Sequence, residues 1–502
     1  MVSCSRLAVR FVVVLAWGWS CAPAVAAAEG PLAFHLRFDK GARAAPFSGR
    51  VYVLLTRQET KELPGGINYF KPEPVLARDV VDWQPDAPLV IGAEALGFPH
   101  KLLELPKDTY SIHAVMDLDQ GGRHFSTAAA NIHSAPVRRE LDPQTSGVVE
   151  LVLDKVYSAP KFAETDRVKL VDIESKLLTE FHRKPTRLRA GVVLPKSFAV
   201  DPQRRYPVLY VVPGFGGTHH AAVSAASRNP TDIAGVEMLY VILDPSCRGG
   251  HHVFADSANN GPCGQALIAE LIPHIEKQYR AIGQPSARFL TGHSSGGWSS
   301  LWLQTTYPDF FGGVWSTAPD PVDFRDFQRI NLYRAGENMF TDADGQPRPI
   351  ARRQGKPALW YKPFSDMEVV TGHGGQLASF EFAFSPRGAN GQPKQLWNRT
   401  TGAIDAAVAK SWEAYDIRLI LERDWQTLGP KLAGKIHVHM GGEDTFYLEG
   451  ATVLLKQALT KLGSDAGVEV VPGRDHGSIV DAALRERIHK EIAAAYRRKH
   501  AE

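Results

Sequence analysis

The pattern of apolar and polar positions changes twice along the chain. From about residue 31 to residue 157, segments such as LAFHLRFD, GRVYVLLTR, YSIHAVMDLD and GVVELVLDKV alternate or run apolar. Breakers such as LPGG, KPEP, QPDAP and DQGG separate them. Evenly spaced strands without helical stretches predict a small antiparallel sandwich. Beyond Lys161 the strand-like runs LRAGVVLP, YPVLYVVPGFGG, EMLYVILD, ARFLTG and KIHVHM alternate with helical periods such as GQALIAELIPHIEKQY and GWSSLWLQTTYP. That alternation predicts an α/β domain with a mostly parallel sheet covered on both faces, and continuous apolar runs like VLYVV suit its buried strands. Residues 320–429 interrupt it with a stretch rich in Gly, Pro, Arg and aromatics that turns helical through AVAKSWEAYDIRLILERDW. This segment reads as an insertion over one end of the sheet. The predicted division is a leader over 1–28, a β-rich accessory domain over 29–158 and the α/β domain over 159–502.

The leader rests on its own pattern. Arg6 and Arg10 precede FVVVLAWGW, and small residues follow, with cleavage expected after Ala26 or Ala28. The apolar run is well short of the ~20 residues a spanning helix needs, so no integral membrane span is expected once it is removed. A secreted or periplasmic protein is implied. Its formal net charge of +3 offers no basic footprint for nucleic acid. Cys4 and Cys21 leave with the leader, so Cys247 and Cys263 are expected to form a disulfide in an oxidising compartment. Neither those cysteines with His251 and His252, nor Asp342 and Asp344 in DADG, have the spacing of a metal site. No metal or cofactor is expected.

The chemistry gathers around FLTGHSSGG. Gly292-His293-Ser294-Ser295-Gly296 fits G-x-S-x-G after a predicted strand and before a predicted helix, the context of a nucleophile elbow. Ser294 is the expected nucleophile, projected above the sheet on a sharp turn. A serine hydroxyl needs a base and the base an orienting acid, which in such folds follow in the order Ser, acid, His. KIHVHMGGEDTFY reads as a strand, a glycine turn and an acid, Asp444, with Glu443 as the alternate. VEVVPGRDHGSI delivers His476 after the last strand. Oxyanion donors are expected from the amides of Ser295 and of Phe215 in VVPGFGGTHH. His219 and His220 are read equally as pocket residues or a helix start. His251, Trp360, Tyr361 and Trp397 are candidates for substrate contacts, because aromatic loop residues give large apolar surfaces to a ligand.

LRAGVVLPKSF, RRYPVLYVVPGFGG, AELIPHIEKQYR, TGHSSGGWSSL and DHGSI together resemble the putative-esterase (esterase D-like) family of α/β-hydrolases, over about Arg187 to His476. That family includes S-formylglutathione hydrolases, enterochelin and feruloyl esterases and mycolyltransferases. The resemblance implies an α/β-hydrolase fold and acyl-ester chemistry. The chain departs from it at Pro213, where many members carry a histidine, and in the long segment before the acid. The expected function is an exported serine carboxylesterase acting on a small-molecule or glycan-linked ester. An acyltransferase, a serine peptidase and a non-catalytic binding protein on the same scaffold are the alternatives.

Overall fold

The computed structural model describes residues 1, 30–118, 124–228 and 230–500. Apart from Met1, the proposed leader, with Cys4, Cys21 and both cleavage points, lies outside the described residues. Eight strands form the central sheet: β1 (Val168–Glu174), β2 (Arg187–Val193), β3 (Val208–Val212), β4 (Leu239–Leu243), β5 (Arg288–His293), β6 (Gly313–Thr317), β7 (Ile436–Gly441) and β8 (Gly467–Val471). Their spatial order is β1-β2-β4-β3-β5-β6-β7-β8. The β1–β2 and β2–β4 pairs are antiparallel and all others parallel.

The continuous apolar runs have the expected cause. In β3, Val208, Tyr210 and Val212 enter one core while Leu209 enters another on the opposite face. The first core is shared with helix α1 (Ser295–Thr306), which is buried from Ser295 through Thr305. Its Gly296, Gly297, Ser299 and Ser300 let the helix press close to the strands, while Trp298 and Trp302 stack with centroids 5.3 Å apart. The second core is covered by the C-terminal helix Ala482–Arg497, whose Leu484, Ile488 and Ile492 face Phe289, Trp315 and Met440. Its start is fixed by Asp481, which accepts from the Leu484 amide.

Nine strands make up the N-terminal region among the described residues, and the expectation of an antiparallel sandwich needs correcting, since Ala33–Phe38 and Val148–Val156 pair in parallel. They form one continuous hydrogen-bonded sheet rather than two. Strand Asp108–Met116 is the reason: it pairs with Phe47–Thr56 along one edge and with both Val137–Leu141 and Ile132–Ser134 along the other. It thereby joins what would be separate sheets. Alternate residues of Phe47–Thr56 still serve two faces. Val51, Val53 and Leu55 fill the domain's own core, and Tyr52 and Leu54 face outward into a second cluster.

That outward face carries the link between the two regions. The segment 320–429 contributes a hairpin (Pro349–Arg353 and Lys356–Trp360), helix α2 (Tyr361–Thr371) and helix α3 (Gln376–Phe384). Val370 of α2 joins the Tyr52 cluster. The last carbonyls of α2, which have no partner within the helix, are taken by the N-terminal sheet. Arg50 Nη1 donates to Val369 O at 2.7 Å and Val370 O at 3.0 Å, and the Tyr52 hydroxyl donates to Thr371 O at 2.7 Å. Positive charge at a helix C-terminus is also favoured by the helix dipole. Replacing both donors, Arg50→Ala with Tyr52→Phe, should cost about 2–3 kcal/mol. The loss would be read as a lower urea midpoint, and an unchanged midpoint would mean the regions do not depend on this contact.

Candidate active site

Ser294 connects β5 to α1 at φ 59° and ψ −127°. A side chain in this left-handed region is strained, and such strain persists only where the surroundings hold it. Here the hold is backbone on backbone. A Cβ on Gly296 would run into the Val212 carbonyl at the end of β3, and one on Gly292 into the Gly296 carbonyl. The Ser294 amide donates to Thr317 O at 3.1 Å, and its carbonyl accepts from Trp298 N at 3.0 Å. The glycines of the motif are therefore required by the approach of strand and helix.

The glycine-rich loop after β3 lies directly on this turn: a Cβ on Gly214 would stand 2.9 Å from His293 O and 3.3 Å from Ser294 Cβ. Gly217 N donates to Gly214 O at 2.9 Å, and Gly216 has φ 88°, the form of a type II turn with Phe215 at its corner. Beneath the loop lies His251. Its Nδ1 accepts from Val253 N at 3.0 Å, so the neutral ring carries its proton on Nε2, which donates to Pro213 O at 2.9 Å. His251 is buried and supports the loop from below. It is not a wall of the cavity beside Ser294.

At the other edge, Asp444 follows β7 and His476 follows β8. Asp444 is fully buried; its Oδ1 accepts from Phe446 N at 2.8 Å, and its Oδ2 meets His476 Nδ1 at 2.6 Å. Glu443 is exposed, its amide donating to Arg474 O. The His476 ring lies 4.6 Å from that of His293, the residue before Ser294, and Phe446 stands edge-on to it at 5.0 Å. Burial works to lower the His476 pKa, but the Asp444 hydrogen bond and charge, with the charges of Asp320 and Asp475, carry it above 6.5. His293 goes the other way, to about 4, through burial and the neighbouring His476. It stays neutral against Thr317 Oγ1 at 3.1 Å.

A cavity of about 70 Å³ opens beside Ser294. Its walls are mostly apolar: Ile350 and Leu359 of the hairpin, Phe364 of α2, Phe380 of α3, and Phe446 and Leu448 after β7. Tyr69, from a loop of the N-terminal region, completes it. Asp320, Gln328 and Gln376 are polar exceptions. Tyr69 also borders a groove of about 460 Å³ that runs past Phe215 between Gly65–Asn68, His124 and residues 367–375.

Trp360 and Tyr361 are not on the cavity's walls. Trp360 is 40% exposed at the end of the hairpin. Tyr361 is fully buried and acts one step back, its hydroxyl 2.5 Å from Gln328 Oε1. The alternation of a short hairpin explains the difference, since it turns Leu359 inward and Trp360 out. Trp397 is buried beneath the Arg399 guanidinium. His219 pairs with Asp244 at 2.6 Å, away from Ser294. The expected disulfide is absent: Cys247 and Cys263 are free, and both thiols turn to Asn260, at Oδ1 and at the carbonyl. Sequence reasoning missed Tyr69, Gln328, Gln376 and Asp320. Only Asp320 had a signal, as an acid just past the end of a parallel strand, where ligands gather.

The family model described as putative esterase matches residues 182–468. The chain belongs to this family. It is a carboxylic ester hydrolase with an α/β-hydrolase fold. No curated protein matches it. Among solved structures it is similar to a ferulic acid esterase at 16% identity, covering 66% of this chain and 99% of that one, with a TM-score of 0.41. An S-formylglutathione hydrolase from Agrobacterium tumefaciens gives 16% identity, coverage of 66% and 95%, and a TM-score of 0.39. A fluorophosphonate-binding serine hydrolase from Staphylococcus aureus gives 12%, 66% and 98%, and 0.38.

In this esterase the Gly296 contact is the least tolerant point of the elbow. Gly296→Ala should destabilise the protein by about 3 kcal/mol or more, because the obstructing atoms are backbone and cannot turn aside. Esterase activity should fall with it. A melting temperature and rate near wild type would show that the strand and helix can separate.

Proposed function

We propose that the protein hydrolyses carboxylic esters through an acyl-enzyme on Ser294, with His476 as base and Asp444 as its orienting acid. The observation that carries this reading is the 2.6 Å contact between Asp444 Oδ2 and His476 Nδ1, made against the ring of His293 next to Ser294. The bond fixes the proton on Nδ1 and leaves Nε2 to accept one. In the proposed sequence, Ser294 Oγ gives its proton to Nε2 and bonds to the ester carbonyl carbon, whose π electrons pass to oxygen. The amides of Phe215 and Ser295 are assigned to that oxyanion. Collapse of the tetrahedral species breaks the bond to the alcohol oxygen, which leaves with the proton from Nε2. Water then repeats the steps and frees the acid.

The cavity beside Ser294 is assigned to the acyl group and the larger groove past Phe215 to the alcohol. Residues 320–429 then act as the cap that sets acyl size, and the N-terminal region takes part through Tyr69. Export is a further part of the proposal, resting on the charged and apolar pattern of residues 1–28.

A fluorophosphonate should label the wild type and not Ser294→Ala; labelling that persists or moves to Ser295 would reassign the nucleophile. The pH profile gives a second check. His476 accepts a proton only when neutral, and its pKa is raised above 6.5, so kcat/KM should fall as pH drops through that raised value. Asp444→Asn removes the principal raising contact. It should cut kcat by about 10⁴ and move the residual acid limb to lower pH. An acid limb left in place would exclude Asp444 as the partner of the titrating group.

A further inference from the structure

Other than Asp320 and Glu368, the buried carboxylates of the α/β region have, among the described residues, a basic partner, Glu337, Asp416 and Asp444 included. Asp323 faces Arg418 at 3.0 Å, Glu381 faces Arg399 at 2.5 Å, Glu276 faces Arg288 at 2.6 Å, and Asp244 faces His219 at 2.6 Å. Glu368 has no such ion but accepts the amides of Leu377 and Ala378 at the start of α3, at 2.8 and 2.9 Å. These are the two usual ways of holding a buried carboxylate.

Asp320 is held by neither. It follows β6 and is 5% exposed, and its side-chain partners among the described residues are hydroxyls. Ser295 Oγ donates to Oδ2 at 2.5 Å, and Ser294 Oγ stands 3.5 Å from Oδ1. The second distance is long for a hydroxyl–carboxylate hydrogen bond, so Oδ1 is weakly satisfied. Burial, opposed by the two serine contacts and the charge of His476, lifts its pKa to about 6, so the carboxylate is ionised at neutral pH. Its setting is the small cavity whose other polar members are Gln328 and Gln376 and whose remaining walls are apolar. Gln376 Nε2 donates to Ser295 Oγ at 3.3 Å, which keeps that hydroxyl turned toward Oδ2 and leaves Oδ1 for the cavity.

We infer that Asp320 is a specificity residue whose Oδ1 binds the protonated amine of an aminoacyl ester seated on Ser294. The inference rests on the reading of Ser294 as nucleophile. Ser294 Oγ stands 3.5 Å from Oδ1, so an amine on the carbon next to the ester carbonyl is within reach of that oxygen when Oγ is bonded to the carbonyl carbon. An ammonium there adds a direct ionic partner to the more distant charge of His476, and a charge-assisted hydrogen bond in an apolar cavity is strong. The size agrees. A single water needs roughly 10–15 Å³ of cavity space, so a cavity of about 70 Å³ has room for an amine and a short side chain.

Benzyl esters of alanine, lactate and propionate share a carbon skeleton and differ in one substituent: ammonium, hydroxyl or hydrogen. The wild type should favour alanine over propionate in kcat/KM by about tenfold or more, with lactate between them. Asp320→Asn keeps the shape of the side chain and removes its charge, so the alanine-to-propionate ratio should fall by about tenfold, toward the ratio of the two esters' hydrolysis by hydroxide alone. Fluorophosphonate labelling of Ser294 in this variant should persist, which separates loss of recognition from loss of the nucleophile. A wild type that does not prefer alanine overturns the inference without any variant. Preference for lactate over alanine overturns the ion pair. A ratio unchanged in Asp320→Asn also overturns it, as does loss of labelling together with all three activities, which would make Asp320 a support of Ser294. If wild type itself is not labelled, the reading of Ser294 fails instead.

Discussion

Everything at the reaction centre depends on one close approach of main chain to main chain. The end of β3, the end of β5 and the first turn of α1 meet where Val212 O leaves no room for a side chain at Gly296. That contact forces Ser294 into its left-handed conformation, brings the Gly214–Gly217 turn onto the elbow and starts α1 with its amides toward the cavity. Helix dipole and strained serine thus come from the same packing event. The elbow sits between β3 and β6, strands that are almost wholly buried, which is why a strained residue can be kept there.

The second tier of organisation is polar. Helix α2 ends against Arg50 and Tyr52 of the N-terminal sheet, and its inner side reaches the cavity through Phe364. Tyr69 contacts the same phenylalanine, with ring centroids 4.9 Å apart. The N-terminal region therefore does two things at once, fixing the cap and adding a wall to the cavity. His251 and Tyr361 play comparable indirect parts, one under the Pro213 carbonyl and the other against Gln328.

What could be read from the sequence was what depends on local pattern. The strand–elbow–helix order, the acid after one late strand and the histidine after the next follow from periodicity and from residues such as Gly292, Gly296 and Gly441. The structure brings Asp444 and His476 into contact and keeps Glu443 exposed, a choice that the pair GGED alone left open. What could not be read depends on tertiary approach. Trp360 looked like a binding residue by type, yet hairpin register sends it outward and presents Leu359. Tyr69 lies in GGINYF, which carries no pattern that distinguishes it from any other loop. The continuous N-terminal sheet was hidden because alternation reveals which residues face inward and not which strand edges join.

The cavity is assembled from opposite ends of the chain. Tyr69 is among the early residues to be synthesised and His476 among the late ones, with the cap and the elbow between them. Closing so long a loop is entropically slow compared with forming any single strand or helix. An intact esterase chamber therefore requires both sheets and their junction, and is a report on completion of the whole molecule. A chain that carries the elbow without residues such as Tyr69 lacks the complete chamber in which to use it.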